Sequence, residues 1–432
     1  MGSWSSLSKL GGREKSPHKE KSDVSDLTSR RKETNIAIRN IGSLVSGDIE
    51  NPIIEADSVF IRNGLIERVG FYEELKGESI DLDIDIQGMT LSPGLIDGHV
   101  HPNIGDWSPR VKVFGWMEGA LHGGVTTLIS QGEAPFPGRP NDAKGVKALA
   151  ILANKVYRAY RPGGVKAHCG ALLLEDGLTE EDIKEMAKEG VWLLAEIGLG
   201  GLKDFDKVSI LVQAARKHGF KIPVHFGPAA VPGATGLTNE DVIKLNPDVI
   251  VHFNGGPTAC SFSEMRKVAE NCSSFLELIC NGNPRALNYA VSLMRERGEL
   301  GRITLGSDSP TGMGIHPLGL VRLVAQISSL NAIPAAVALC MATGNTAKAY
   351  GLNTGMVKPG KEADLLVIDA PLGSQAKVAL EAIEIGDHPN MGMVMVDGKV
   401  ISRTMRRAFN TAKKVLINGE EDTRKALDEM FL

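Results

Sequence analysis

Ser92-Pro93-Gly94-Leu95-Ile96-Asp97-Gly98-His99-Val100-His101 ends a short apolar run with two histidines flanking one valine. A run that short and that apolar reads as a buried strand. Alternate residues of a strand share a face, so His99 and His101 project side by side from its end and can ligate one cation together. The same spacing also occurs in pairs of solvated or core histidines, so the rest of the chain has to decide.

Four more potential ligands stand at or just past the ends of apolar runs. They are Glu196 after Val191-Trp192-Leu193-Leu194-Ala195, His225 after Ile222-Pro223-Val224, His252 after Val249-Ile250-Val251, and Asp308 after Ile303-Thr304-Leu305-Gly306-Ser307. Helical periodicity fills the intervals, as in 179–188, 207–218 and 286–297. Alternation of strand and helix argues for a parallel sheet. The strands are read at 90–101, 125–132, 165–172, 191–198, 221–227, 248–255, 274–281 and 302–308. Eight such units over roughly 250 residues match an α/β fold of the (β/α)8 TIM-like barrel type, whose site forms at the carboxyl ends of the strands. The competing doubly wound sheet would want a Gly-x-Gly-x-x-Gly turn after a first strand, and the sequence has none there.

These residues resemble the amidohydrolase superfamily, metal-dependent hydrolases built on that barrel. Pro93-Gly94-Leu95-Ile96-Asp97-Gly98-His99-Val100-His101 is similar to its first-strand signature, and the later Glu, His, His and Asp follow in its order. Within the superfamily the chain is most similar to the enamidase-like members, which open a cyclic enamide. The supporting stretches are Leu121-His122-Gly123-Gly124-Val125-Thr126-Thr127, Phe136-Pro137-Gly138-Arg139-Pro140, Asn254-Gly255-Gly256-Pro257-Thr258-Ala259 and Met341-Ala342-Thr343-Gly344-Asn345. The resemblance runs from about residue 35 to about residue 400.

A carboxylate at the end of so apolar a strand is costly to bury unless paired or metal-bound, with a structural salt bridge as the bland explanation of Glu196. The resemblance implies that Glu196 bridges two metals, with His99, His101 and Asp308 completing one site and His225 and His252 the other. Mixed nitrogen and oxygen ligands suit Zn²⁺, Fe²⁺ or Mn²⁺; the resemblance implies a zinc and iron pair. Such a pair makes hydroxide available near neutral pH, and Asp308 can then act as general base and acid toward the departing nitrogen. The implied reaction is hydrolysis of a cyclic amide C–N bond.

Other residues are candidates for the substrate. His168, at the expected end of the third strand, is a catalytic candidate for the carbonyl or developing oxyanion, against a core histidine as the alternative. His316 lies in the loop after Asp308. Arg110 and Arg139 follow the first and second strands, and a guanidinium would suit a substrate carboxylate. His122, before a Gly-Gly turn, reads as a packing or capping residue. Phe226 and Pro228 follow the fifth-strand ligand where enamidase-like members carry small polar residues. Beside the metals they would make the pocket more apolar, which opens the substrate to other lactams, imides or N-acyl compounds.

Composition is that of a cytoplasmic enzyme. Of 432 residues 42% are hydrophobic, enough for a large core and a satellite domain, and a net charge of −4 offers nothing to nucleic acid. No apolar run approaches a membrane span, and no secretory segment opens the chain. The five cysteines (Cys169, Cys260, Cys272, Cys280, Cys340) are scattered without Cys-x-x-Cys pairing, which suits a reducing compartment.

Residues 1–33, with eight Lys or Arg against five Asp or Glu, read as a flexible polar extension. Met1-Gly2-Ser3-Trp4-Ser5-Ser6 fits the loose N-myristoylation pattern, but one acyl chain gives only marginal membrane binding, and the segment reads as a plain extension. Period-two alternation marks 34–90 and 353–405 as two parts of a small β-sandwich, with hairpin turns at Asn63-Gly64 and Asp397-Gly398. That the two parts meet is implied by the resemblance alone. The barrel takes 91–352 and 406–432 is a C-terminal extension. A homo-oligomer, tetrameric by the same resemblance, completes the expectation.

Two other classes fit parts of this pattern. A hydrolytic deaminase of the superfamily would hold one metal and need no bridging Glu196. A scaffold on a retired barrel would be expected to have lost ligands, whereas all six are present.

Overall fold

The computed structural model describes residues 34–102, 115–133, 139–198, 200–202, 204–228, 236–310, 314–405 and 408–422. The expectations for 1–33 and for Arg110 lie outside the described residues.

Parallel pairing runs from Leu95–Val100 to Val125–Ser130 to Lys166–His168. A second parallel set runs from Pro223–His225 through Val249–Val251 and Phe275–Ile279 to Ile303–Gly306. The expected fourth strand is no regular ladder. Gly170, at φ 89°, turns the chain after His168. Residues 193–197 then pair through single parallel bridges, Leu172 with Leu194, Leu193 with Lys221 and Ile197 with Val224. The Glu196 N–H reaches past the third strand to the carbonyl of Gln131 at 2.9 Å. A further parallel bridge, Val100 with Ser309, joins the last strand position to the first, so the order closes on itself.

A helix follows every strand position, from Trp116–His122 after the first to Gly319–Asn331 after the eighth. Local sequence sets several of their starts. Thr179 with Asp182, Thr238 with Asp241 and Ser261 with Glu264 form capping boxes, each satisfying two backbone donors that the first turn leaves free. One apolar cluster joins the inward helix faces, such as Ile183, Met186, Val268 and Val291, to strand residues such as Leu128, Ile250 and Leu305.

Both chain ends supply two further sheets. One has five strands, ordered Leu416–Ile417, Leu82–Asp85, Asn35–Arg39, Ser58–Arg62, Leu65–Gly70. The other has six, ordered Lys399–Ser402, Asn390–Val396, Leu365–Asp369, Thr90–Pro93, Ser43–Val45, Ile53–Ile54. Leu365 pairs with Pro93 and Val367 with Leu91, which is where late and early chain meet. Alternate residues of both sheets, Ile36 and Ile38, Val59 and Ile61, Leu365 and Val367, Met393 and Met395, share one buried cluster. Both hairpin signals hold: Asn63-Gly64 and Asp397-Gly398 carry positive φ at both positions, as a type I′ turn requires. Contrary to expectation, 406–432 is not all extension, because Leu416–Ile417 pairs with Ile84 and Asp85.

Lys166, on the third parallel strand, ties that strand to the terminal sheets. Its ammonium lies 2.7 Å from Asp364, 2.6 Å from Glu362 and 2.7 Å from Asp397. Asp364 is fully buried, so Lys166→Ala takes away its cation and leaves it the Thr354 hydroxyl at 2.6 Å and the Asp397 N–H at 2.8 Å. The expected loss is about 3–5 kcal/mol, read as a fall in the urea unfolding midpoint; a loss below about 1 kcal/mol contradicts this role.

Candidate metal centre

Four imidazoles and two carboxylates converge beyond the carboxyl ends of the parallel strands. His99 and His101 bring their Nε2 atoms to 3.0 Å. Asp308 Oδ1 lies 3.3 Å from His101 Nε2 and 3.5 Å from His99 Nε2. Glu196 divides its oxygens: Oε1 faces His101 Nε2 at 3.6 Å, while Oε2 meets His252 Nε2 at 2.8 Å and His225 Nδ1 at 3.1 Å. The groups His99, His101, Glu196 and Glu196, His225, His252 each place one donor atom per residue within 4.8 Å of the others.

The outer nitrogens test whether these donors suit a cation. His101 Nδ1 donates to the Gly132 carbonyl at 2.8 Å and His252 Nδ1 to the Phe226 carbonyl at 3.1 Å. His99 Nδ1 donates to Glu277 at 2.6 Å. These partners accept only, so each neutral ring carries its proton outside and turns its Nε2 lone pair inward. Lone pairs 3.0 Å apart repel unless a proton or a cation stands among them. The donor set therefore fits divalent metal, with the outer hydrogen bonds fixing ring orientation.

Protons show the same electrostatics. Burial alone would push His101 down, but Asp308 and Glu196 outweigh it and raise its pKa to about 9. His252 likewise rises to about 9 against burial, through Glu196, Asp308 and Glu277. Glu196, despite a burial that favours its neutral form, is held well below the usual range by His225 and His252. Asp308 is also lowered, with burial opposed by His99, His101 and His252.

Backbone geometry aims two of the side chains. His252 and Asp308 adopt φ of 35° and 58°, left-handed values that cost energy in a residue with a Cβ. The Asp308 turn is held by its N–H to the His99 carbonyl at 2.9 Å and by Asn281 Nδ2 to its own carbonyl at 3.1 Å.

The six expected ligands come together; of the expected substrate residues, His168 and Arg139 are engaged elsewhere. His168 points with Lys166 into a separate cavity of about 550 Å³, lined also by Arg158, Trp192 and Asp397 and by none of the six. Burial and the charges of Lys166 and Arg161 push it down to about 4, and its ring packs edge-on against Trp192. Arg139 is 3.2 Å from Glu175. His316 is exposed. His122 is buried against Met405, in keeping with packing. Phe226 does not line the centre as expected: one residue past His225 it faces the other way, buried and stacked on Phe253 at 5.0 Å.

Sequence reading missed three buried acids around the ligands. Asp97 accepts from the N–H groups of His99 and Ser307, at 3.1 and 2.8 Å, and burial pushes it up to about 7. Glu133 accepts from Gly170 N–H at 2.8 Å and Ser130 Oγ at 3.1 Å, and burial pushes it too up to about 7. Glu277 holds His99. It sits in the apolar run Ser274-Phe275-Leu276-Glu277-Leu278-Ile279, an acid among aliphatics like Glu196, but inside its strand and not at the end.

Alternating parallel strands and helices gather histidines and carboxylates past the strand ends into a site that could hold divalent metal. Residues 90–401 match the amidohydrolase family model, and the chain belongs to that family. It is 48% identical over 379 residues to the enamidase of Eubacterium barkeri, covering 87% of this chain and 98% of that protein. The crystal structure of an enamidase superposes with a TM-score of 0.85 at 46% identity, covering 89% of this chain and 100% of that one. More distant is a 5'-deoxyadenosine deaminase of Methanosarcina mazei, 23% identical over 87% of this chain and 94% of its own length.

Protons and cations compete for these nitrogens. Because His101 and His252 stand near 9 without metal, against an ordinary 6.5, they are protonated at pH 7 and divalent metal must displace those protons. Zinc binding to the metal-free protein is expected to release protons and to tighten as pH rises toward about 9. The metal-free fold, whose raised histidines stabilise it fully below 6.5, is expected to lose that stability as pH passes about 9. Calorimetric titration in two buffers of different ionisation enthalpy reads the release; a heat independent of buffer contradicts it.

Proposed function

We propose that this protein is a binuclear hydrolase of cyclic amides, of the enamidase kind, with Glu196 shared between two divalent metals. One observation carries the reading: Glu196 Oε1 faces the His99, His101 and Asp308 side while Oε2 faces His225 and His252. A one-metal deaminase would have no use for a carboxylate divided in that way. In this reading the closed parallel order is a (β/α)8 barrel over 91–352, and the terminal sheets are a β-sandwich from 34–90 and 353–405, extended by Leu416–Ile417. The resemblance to enamidase favours zinc and iron as the pair.

Bound metals of this kind supply an acidified water at neutral pH and polarise a carbonyl. The protein does the rest. Asp308, held as carboxylate by the imidazoles and with its side chain 15% exposed, meets the substrate side of the cluster. It takes the proton as the carbonyl carbon is attacked and passes it to the ring nitrogen as the C–N bond breaks. Glu196, at 3% exposure, stays out of proton transfer and holds the two halves together. Arg139 holds Glu175 and the Pro140 carbonyl through Nη1, so a substrate carboxylate would have to use its other N–H groups, and His168 has no part in the reading.

The test is ring opening of a six-membered cyclic enamide, followed by loss of its ultraviolet band. Asp308→Asn is expected to lower kcat by roughly 10²–10⁴ with KM little changed, and chelation to abolish turnover. Deamination of aminopurines without lactam opening would contradict the assignment.

A further inference from the structure

We propose that Glu277 is a positioning residue that locks both halves of the metal centre with one carboxylate. The inference rests on the metal-centre reading above. Glu277 lies within the seventh parallel strand, Phe275–Ile279, which supplies none of the six ligands, and it is completely buried. Its Oε1 accepts from the His99 ring N–H at 2.6 Å and from the His252 backbone N–H at 3.3 Å. His99 belongs to one half of the centre and His252 to the other. The first bond fixes the His99 tautomer and turns Nε2 inward; the second steadies the backbone that His252 strains at φ 35°.

The neighbouring strands make room for this acid. A Cβ added at Gly98 would lie 2.8 Å from Glu277 Oε2, and one at Gly306 would lie 2.6 Å from His99 Cβ and 3.2 Å from Glu277 Cδ. Neither glycine is in the left-handed region that itself requires glycine, so what they provide is space. Among the described residues Oε2 has no hydrogen-bond partner.

The experiment titrates metal-free wild type, Glu277→Gln and Gly98→Ala with Co²⁺ against a competing chelator, recording the visible cobalt spectrum and the melting temperature of each metal-free protein. Weakening of about ten- to a hundredfold with an altered spectrum is expected for both variants, because one removes the charge and the other displaces it. Wild-type affinity and spectrum in Glu277→Gln overturn the proposal, whatever its melting temperature. Should that variant not fold, Gly98→Ala decides in the same way: weakened cobalt binding supports the role and unchanged binding overturns it. A wild type that binds no cobalt defeats the metal-centre reading itself, an outcome distinct from failure of Glu277 alone.

Discussion

A carboxylate cut off from water has to be neutralised where it stands, at a cost of several kcal/mol if it is not. This chain buries Glu196 and Glu277 within one cluster, at 3% and 0% exposure. Imidazoles answer both charges, and those imidazoles are in turn pinned from outside by the Gly132 and Phe226 carbonyls. Carbonyls, acids and rings thus leave inward-facing lone pairs that only protons or cations can reconcile. The raised pKa values of His101 and His252 are what this demand looks like when protons meet it.

The rest of the architecture serves that constraint. Parallel strands end at one side, so residues distant in sequence arrive together there, and period-two geometry sorts their side chains. His225 and His252 face the centre while Phe226 and Phe253, one residue on, stack in the core behind it. At the opposite parity of purpose, Lys166 and His168 share a face turned toward the terminal sheets. Left-handed backbone at His252 and Asp308 supplies the remaining aim.

Much of this was legible in the sequence because the physics is local. A ligand after an apolar run marks a strand end, and all six such residues meet. Asn63-Gly64 and Asp397-Gly398 announce their turns through backbone conformations few residues tolerate. What stayed hidden depends on register and side-chain direction. His168 stands on a strand like the ligands, but the third strand stops at it, and its side chain points to the other cavity. Phe226 looked like a pocket residue by adjacency and is a core residue by alternation. Glu277 carried the same apolar surroundings as Glu196, yet a mid-strand acid gives no sign of which neighbour will claim it. The fourth strand's single bridges replace the regular ladder expected of its apolar run.

The central claim is that Glu196 serves two cations at once. Elemental analysis of metal per chain, wild type beside Glu196→Ala, tests it most directly. The account predicts close to two divalent ions per wild-type chain and a clear fall on the substitution. About one ion per chain, unchanged by the substitution, would contradict it.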